Sequence, residues 1–191
     1  MKKNNLILAD LYSKNKLKFY GLFNNPVLID HRILELFVIG NYETKRQQDC
    51  FTEEDKNKHL MLEAFQLETR IKNYYITTHA FSDFIYKLWT KFRDNKPAYC
   101  EILKITRKMM EGFREEKPTI KLILTNSDLK NFCLSDASTE IITRIESKDK
   151  PTKYVVLTGS SKLKKKCQAN NNCIKAIDHK EIESLYFTHL I

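Results

Sequence analysis

The spacing of apolar positions changes along the chain, and each change marks an element. Val27, Leu28 and Ile29 form an unbroken apolar run after Pro26, which predicts a short strand covered on both faces and ending at Asp30. Ile33, Leu34, Phe37 and Val38 follow at helical spacing, with Gly40 as the expected stop. Thr52 before Glu53, Glu54 and Asp55 reads as an N-cap with acids in the first turn. Leu60, Ala64, Leu67 and Ile71 continue that helix. Tyr74, Tyr75 and Ile76 predict a strand, and Thr77 or Thr78 caps the helix after it. Its apolar face is Phe81, Phe84, Ile85, Leu88 and Phe92, with Trp89 at the edge, a stripe that suits a core rather than a platform for bases. A helix is expected over 98–114, a strand over 119–124, and a helix opened by Asp136 that carries Ile141, Ile142 and Ile145. The strand over 153–158 has the clearest pattern of all. Gly159, Ser160 and Ser161 turn it into a short helix over 162–167. A strand over 173–177 and a helix over 180–186 close the series.

Strands alternating with helices make this an α/β chain with a central, mainly parallel sheet and helices on both faces. In such sheets the ligand crevice lies beyond the carboxyl ends of the strands. Asp30 follows the first strand directly, and Ser160 and Ser161 follow the strand over 153–158. The reading is one domain over 1–191, with a core of about 26–187 and residues 1–25 as an extension or extra element.

Composition narrows the chemistry. Of 191 residues, 33 are Lys or Arg and 24 are Asp or Glu, for a net charge of +9. Lysines crowd the first twenty residues (Lys2, Lys3, Lys14, Lys16, Lys18) and the last third, where Lys162, Lys164, Lys165 and Lys166 directly follow the serine turn. A basic field attracts phosphate backbones, although a lysine-rich solvated surface has the same composition. With only 4 glycines, the chain has no Gly-rich phosphate loop and no nucleophile elbow. No run reaches the roughly 18 apolar residues of a membrane span. The first apolar run stops at Asp10, short of a secretory signal. The five cysteines, odd in number and without a CxxC pair, suggest a reducing, cytoplasmic setting and argue against zinc.

Four segments together resemble the PIN domain, a family of metal-dependent nucleases. They are Val27-Leu28-Ile29-Asp30 with the apolar helix after it; Thr77-Thr78-His79-Ala80-Phe81-Ser82-Asp83; Leu134-Ser135-Asp136-Ala137-Ser138; and Val155-Val156-Leu157-Thr158-Gly159-Ser160-Ser161-Lys162-Leu163. Lys45, Arg46 and the stretch Phe51 to Asp55 resemble a subgroup with a basic loop before its second helix. The resemblance runs from about Pro26 to Asp178, with the segments in the family's order and spacing.

The resemblance implies a three-layer α/β/α sandwich whose acidic pocket holds one or two Mg²⁺ or Mn²⁺ ions and hydrolyses RNA. Hard cations take carboxylate oxygens, and a metal-bound water becomes the nucleophile. Carried over, Asp30, Asp83 and Asp136 are the metal ligands and catalytic carboxylates, and Ser160 stands where the family has a fourth Asp. Asp83 replaces a Glu. Arg32 stands where a small polar residue is usual, so its guanidinium can pair with Asp30 or Asp136 in place of a metal. Asp178 is a candidate replacement carboxylate. Arg32, Lys162, Lys164 and Lys165 are the candidate RNA contacts. The ordinary alternatives are helix capping for Asp30 and Asp136, a solvated helix face for Asp83, packing for His79 and turn formation for Thr158. Two functions follow: a PIN-like ribonuclease, toxin-type among its options, or a degraded PIN-like module that binds RNA or a protein without cleavage. Toxin-type relatives imply an antitoxin partner and a homodimer.

Overall fold

The computed structural model describes residues 19–46, 52–69, 71, 73–125, 133–145 and 153–187. A 3₁₀ turn, Leu22–Asn24, leads into β1 (Val27–Ile29), followed by α1 (His31–Arg46) and α2 (Glu53–Thr69). Next come β2 (Tyr74–Thr77), α3 (Thr78–Phe92), α4 (Lys96–Met110), β3 (Phe113–Glu116) and α5 (Ile120–Leu124). The described chain closes with α6 (Leu134–Arg144), β4 (Tyr154–Thr158), α7 (Ser161–Gln168), β5 (Cys173–Asp178) and α8 (His179–Phe187). All five strands are parallel, in the order β3-β2-β1-β4-β5.

The strand side chains divide into two cores, as a pleated sheet covered on both faces requires. Val27 and Ile29 of β1, with Val155 and Leu157 of β4, face a large layer containing Phe37 of α1, Phe65 of α2, Phe84 of α3 and Ile102 of α4. Leu28 and Val156 face the other side, against Ile123 of α5, Ala137 of α6, and Leu163 and Cys167 of α7. The molecule is therefore a three-layer α/β/α sandwich. Among the described residues no helix is long and apolar enough to cross a membrane.

Four sequence expectations are corrected. Gly40 does not stop α1, which continues to Arg46. Its missing side chain serves the packing instead: a Cβ there would lie 2.0 Å from the His59 ring, which α2 lays against it. On α2, Leu60 faces water, and Met61, Leu62 and Phe65 are buried. The helix expected to run to residue 114 ends at Met110, and Phe113–Glu116 becomes edge strand β3. The apolar run expected as a strand is helix α5, capped by Thr119, whose hydroxyl accepts from the Leu122 N–H. An edge strand needs fewer apolar residues than a central one, so the polar sequence of β3 fits the place and its composition hides it.

The parallel topology sends every strand's carboxyl end to one rim. Asp30 lies just past β1, Thr77 ends β2, Glu116 ends β3, Thr158 ends β4 and Asp178 ends β5, in register with Thr158.

Candidate functional site

Asp30 is completely buried and engaged by both oxygens. Oδ1 accepts the Ile33 N–H at 2.9 Å, which caps the first turn of α1. Oδ2 accepts the Thr158 hydroxyl at 2.6 Å and the Gly159 N–H at 3.0 Å. Thr158 in turn accepts the Ser160 N–H at 2.9 Å, so one carboxylate ties the end of β1 to the turn after β4.

Arg32 lies over this carboxylate. Its guanidinium meets Asp136 in a fork, 2.9 Å to Oδ1 and 3.3 Å to Oδ2, and lies 3.6 Å from Asp30 Oδ2. Burial works against the charge of Arg32, but the hydrogen bond to Asp136 and the field of Asp30 outweigh it and raise its pKa. Gly159 makes room for the side chain: a Cβ at that position would come 2.8 Å from Arg32 Cβ and 3.0 Å from Cδ. No flexible tip is available to yield there, because the nearer contact is at the root of the side chain.

A second network stands beside the first. Lys87 Nζ lies 2.7 Å from His31 Nε2, and His31 Nδ1 lies 3.1 Å from Ser135 Oγ. The Ser135 hydroxyl donates to Asp83 Oδ2 at 2.9 Å. Burial, acting first, lowers the pKa of His31, with Asp30 opposing and Lys87 reinforcing the shift. The ring is therefore neutral near pH 7. An ammonium only donates, so the network assigns Nε2 as acceptor and Nδ1 as donor to Ser135. Proton donation then runs in one direction, Lys87 to His31 to Ser135 to Asp83. Ser135 and Ser138 make α6 the hub of the rim. Ser138 donates to the Ser135 carbonyl at 2.7 Å and accepts the Thr77 hydroxyl at 2.6 Å.

The other expected residues lie nearby in different roles. The Ser160 hydroxyl accepts the Leu163 N–H at 3.2 Å and caps α7. Asp178 accepts the Glu181 N–H and lies 3.4 Å from Lys164, which also reaches Glu181 at 3.2 Å. Lys162 and Lys165 are on the exposed side of α7. His79 is partly buried near the start of α3. The lysines of the first eighteen residues lie outside the described residues. Above the two networks opens a cavity of about 300 Å³, with Arg32, Lys58 and Lys87 as its cationic lining and Glu35 and Asp55 as its acidic lining.

A divalent cation needs several oxygen lone pairs aimed at one point. Here a guanidinium fills the space between Asp30 and Asp136, Asp30 already accepts three hydrogen bonds, and Asp83 takes its hydrogen bond from Ser135. The residues do not fit a Mg²⁺ or Mn²⁺ centre. Among the described residues no group of three or more His, Cys, Asp and Glu side chains is arranged to hold a metal ion. Sequence reasoning missed His31, Lys87 and Ser135 as members of the site. Two faint signals were there: His31 directly follows Asp30, and Lys87 is one helical turn beyond Asp83.

No protein-family model and no curated protein matches the chain. Among solved structures it is similar to PAE2754 from Pyrobaculum aerophilum. That match has a TM-score of 0.48 and 16% identity, and covers 84% of this chain and 95% of the other.

Proposed function

We propose that the chain is a PIN-like module that binds RNA without cleaving it, its Arg32 standing where the family's acidic pocket takes a divalent cation. The observation that carries this reading is the Arg32 fork on Asp136, with Asp30 3.6 Å away. A fixed organic cation neutralises the carboxylates as a metal does, but it offers no open coordination position and activates no water. What supports RNA as the ligand is the net charge of +9, with Arg32, Lys58 and Lys87 lining the cavity and the lysines of α7 following Gly159, which lines it too. Each phosphate neutralised by a lysine or arginine releases counterions, so affinity falls steeply with salt.

The test pairs two titrations. Calorimetry with Mn²⁺ gives no saturable heat for wild type or for Asp30→Asn. Anisotropy of a labelled single-stranded RNA gives binding that weakens by about tenfold or more between low and moderate salt. Saturable Mn²⁺ binding that Asp30→Asn abolishes, together with Mn²⁺-dependent RNA cleavage, overturns the proposal in favour of the ribonuclease. Absence of RNA binding at low salt removes RNA as the ligand.

A further inference from the structure

Helix α3 has two faces of different chemistry. Ala80, Phe84, Leu88 and Phe92, at successive four-residue steps, are buried in the large core. Roughly opposite, Tyr86 is 67% exposed and Trp89 is 49% exposed, and Thr90 and Arg93 lie on the same side. Two large aromatic rings three positions apart on a helix are neighbours, with Cβ atoms about 5–6 Å apart. Leaving both in water forgoes burial that each would gain in a core. Trp89 is also held: Tyr99 of α4 meets it at a centroid distance of 5.5 Å and an interplanar angle of 75°.

The geometry points to this ridge as a stacking surface for the bases of a single-stranded nucleic acid, with Tyr86 and Trp89 as the stacking residues and Arg93 as a phosphate contact. The inference rests on the nucleic-acid reading above and names which strand is read and where. Charge complementarity selects the occupant. Lys91, Arg93 and Lys96 are exposed at the end of the helix, and Lys87 connects the ridge to the cavity. Of the acids nearby, Asp83 takes its hydrogen bond from Ser135, and Asp94 is exposed 3.7 Å from Arg93, outnumbered by Lys91, Arg93 and Lys96. Aromatic faces interleaved with cations suit a backbone whose bases are free to stack, and a duplex hides those faces. The other exposed large apolar side chains among the described residues make the contrast plain: Leu60, Ile120, Leu122, Leu124 and Leu134 are all aliphatic and offer no π-face to a base.

Trp89 is the only tryptophan, so the full chain carries its own reporter. The experiment titrates labelled oligo(U) and a duplex of equal length, reading anisotropy and tryptophan emission together. Expected are saturable quenching by oligo(U) but not by the duplex, and roughly tenfold weaker oligo(U) binding in Tyr86→Ala. Tyr86→Phe keeps wild-type affinity. Tyr86→Leu loses as much as Tyr86→Ala, because an aliphatic side chain does not stack. Arg93→Ala lowers the salt slope by about one contact, and Tyr86→Ala leaves the slope unchanged. Circular dichroism of each variant matches wild type, as exposed positions allow.

If oligo(U) binds and neither Tyr86→Ala nor Trp89→Ala changes its affinity, the ridge is overturned and the nucleic-acid reading stands. If Tyr86→Leu binds as wild type does, the contact is generic apolar burial and stacking is overturned. Should Tyr86→Ala instead break a concentration-dependent dimer and leave oligo(U) binding intact, the ridge belongs to a second copy of the chain. If neither oligonucleotide binds at low salt, the nucleic-acid reading falls and the ridge with it.

Discussion

Asp30, just past β1, and Asp83, on the helix that follows the neighbouring strand β2, bring the same carboxylate chemistry to one rim. The fold gives them two roles. Asp30 is buried, with three donors holding it and a guanidinium above it, so its charge belongs to the architecture. Asp83 is about a third exposed and takes its hydrogen bond from Ser135, at the end of a chain that begins at Lys87 on the cavity wall. A carboxylate at the rim of a parallel sheet is thus not in itself a ligand. What its oxygens already accept decides whether it holds the fold or faces the solvent.

The difference can be sharpened by substitution. Asp30→Ala has the largest expected effect. It removes the α1 cap and strands the buried Thr158 hydroxyl and Gly159 N–H, so chemical denaturation should show a loss of about 3–5 kcal/mol. An outcome below about 1 kcal/mol makes the two carboxylates equivalent after all. Arg32→Ala comes next, at about 2 kcal/mol by the same measurement, because Asp136 stays buried without its forked partner.

The pH dependence is gentler and contrasts two histidines. Both His31 and His59 are held below the ordinary histidine pKa, chiefly by burial. His31 has hydrogen-bond partners on both ring nitrogens, whereas the His59 ring lies against Gly40 and 3.8 Å from Glu63. A lowered folded-state pKa means that the unfolded chain takes up the proton first. Stability is therefore fully present above about pH 6.5 and declines as pH falls toward the folded-state values. Denaturation midpoints across pH 5 to 8 should show that decline, and His59→Phe should flatten part of it by removing one titrating ring. A midpoint that rises as pH falls breaks the argument. Asp83→Asn closes the series at under about 1 kcal/mol, since the amide oxygen still accepts from Ser135.

The central strands were legible because both of their faces are covered, which forces unbroken apolar runs such as Val27 to Ile29 and Tyr154 to Leu157. Phe113–Glu116 and Ile120–Leu124 were not, and they exchanged identities. At the edge of the sheet, position rather than composition selects the strand, and α5 keeps Ile120 and Leu124 in water. In the site, the motifs marked Asp30, Asp136 and the unusual Arg32. The Lys87–His31–Ser135–Asp83 chain stayed hidden because Ser135 stands 104 positions from His31 and 52 from Asp83. No local spacing encodes such a meeting. It follows from three helices converging on one rim.

Strand β3 has a consequence of another kind. Among the described residues it ends the sheet with Arg114 and Glu115 in water, and Lys117 just beyond it lies 3.1 Å from Glu115. A bare strand edge is a template on which a second molecule can extend the ladder, and charges along it oppose that addition. Those charges should therefore oppose fibrous growth from this border at high concentration. Clumping on heating has its better starting point at the aliphatic side of α5, so a charge introduced at Ile120 or Leu124 should improve recovery after thermal stress more than any change in β3.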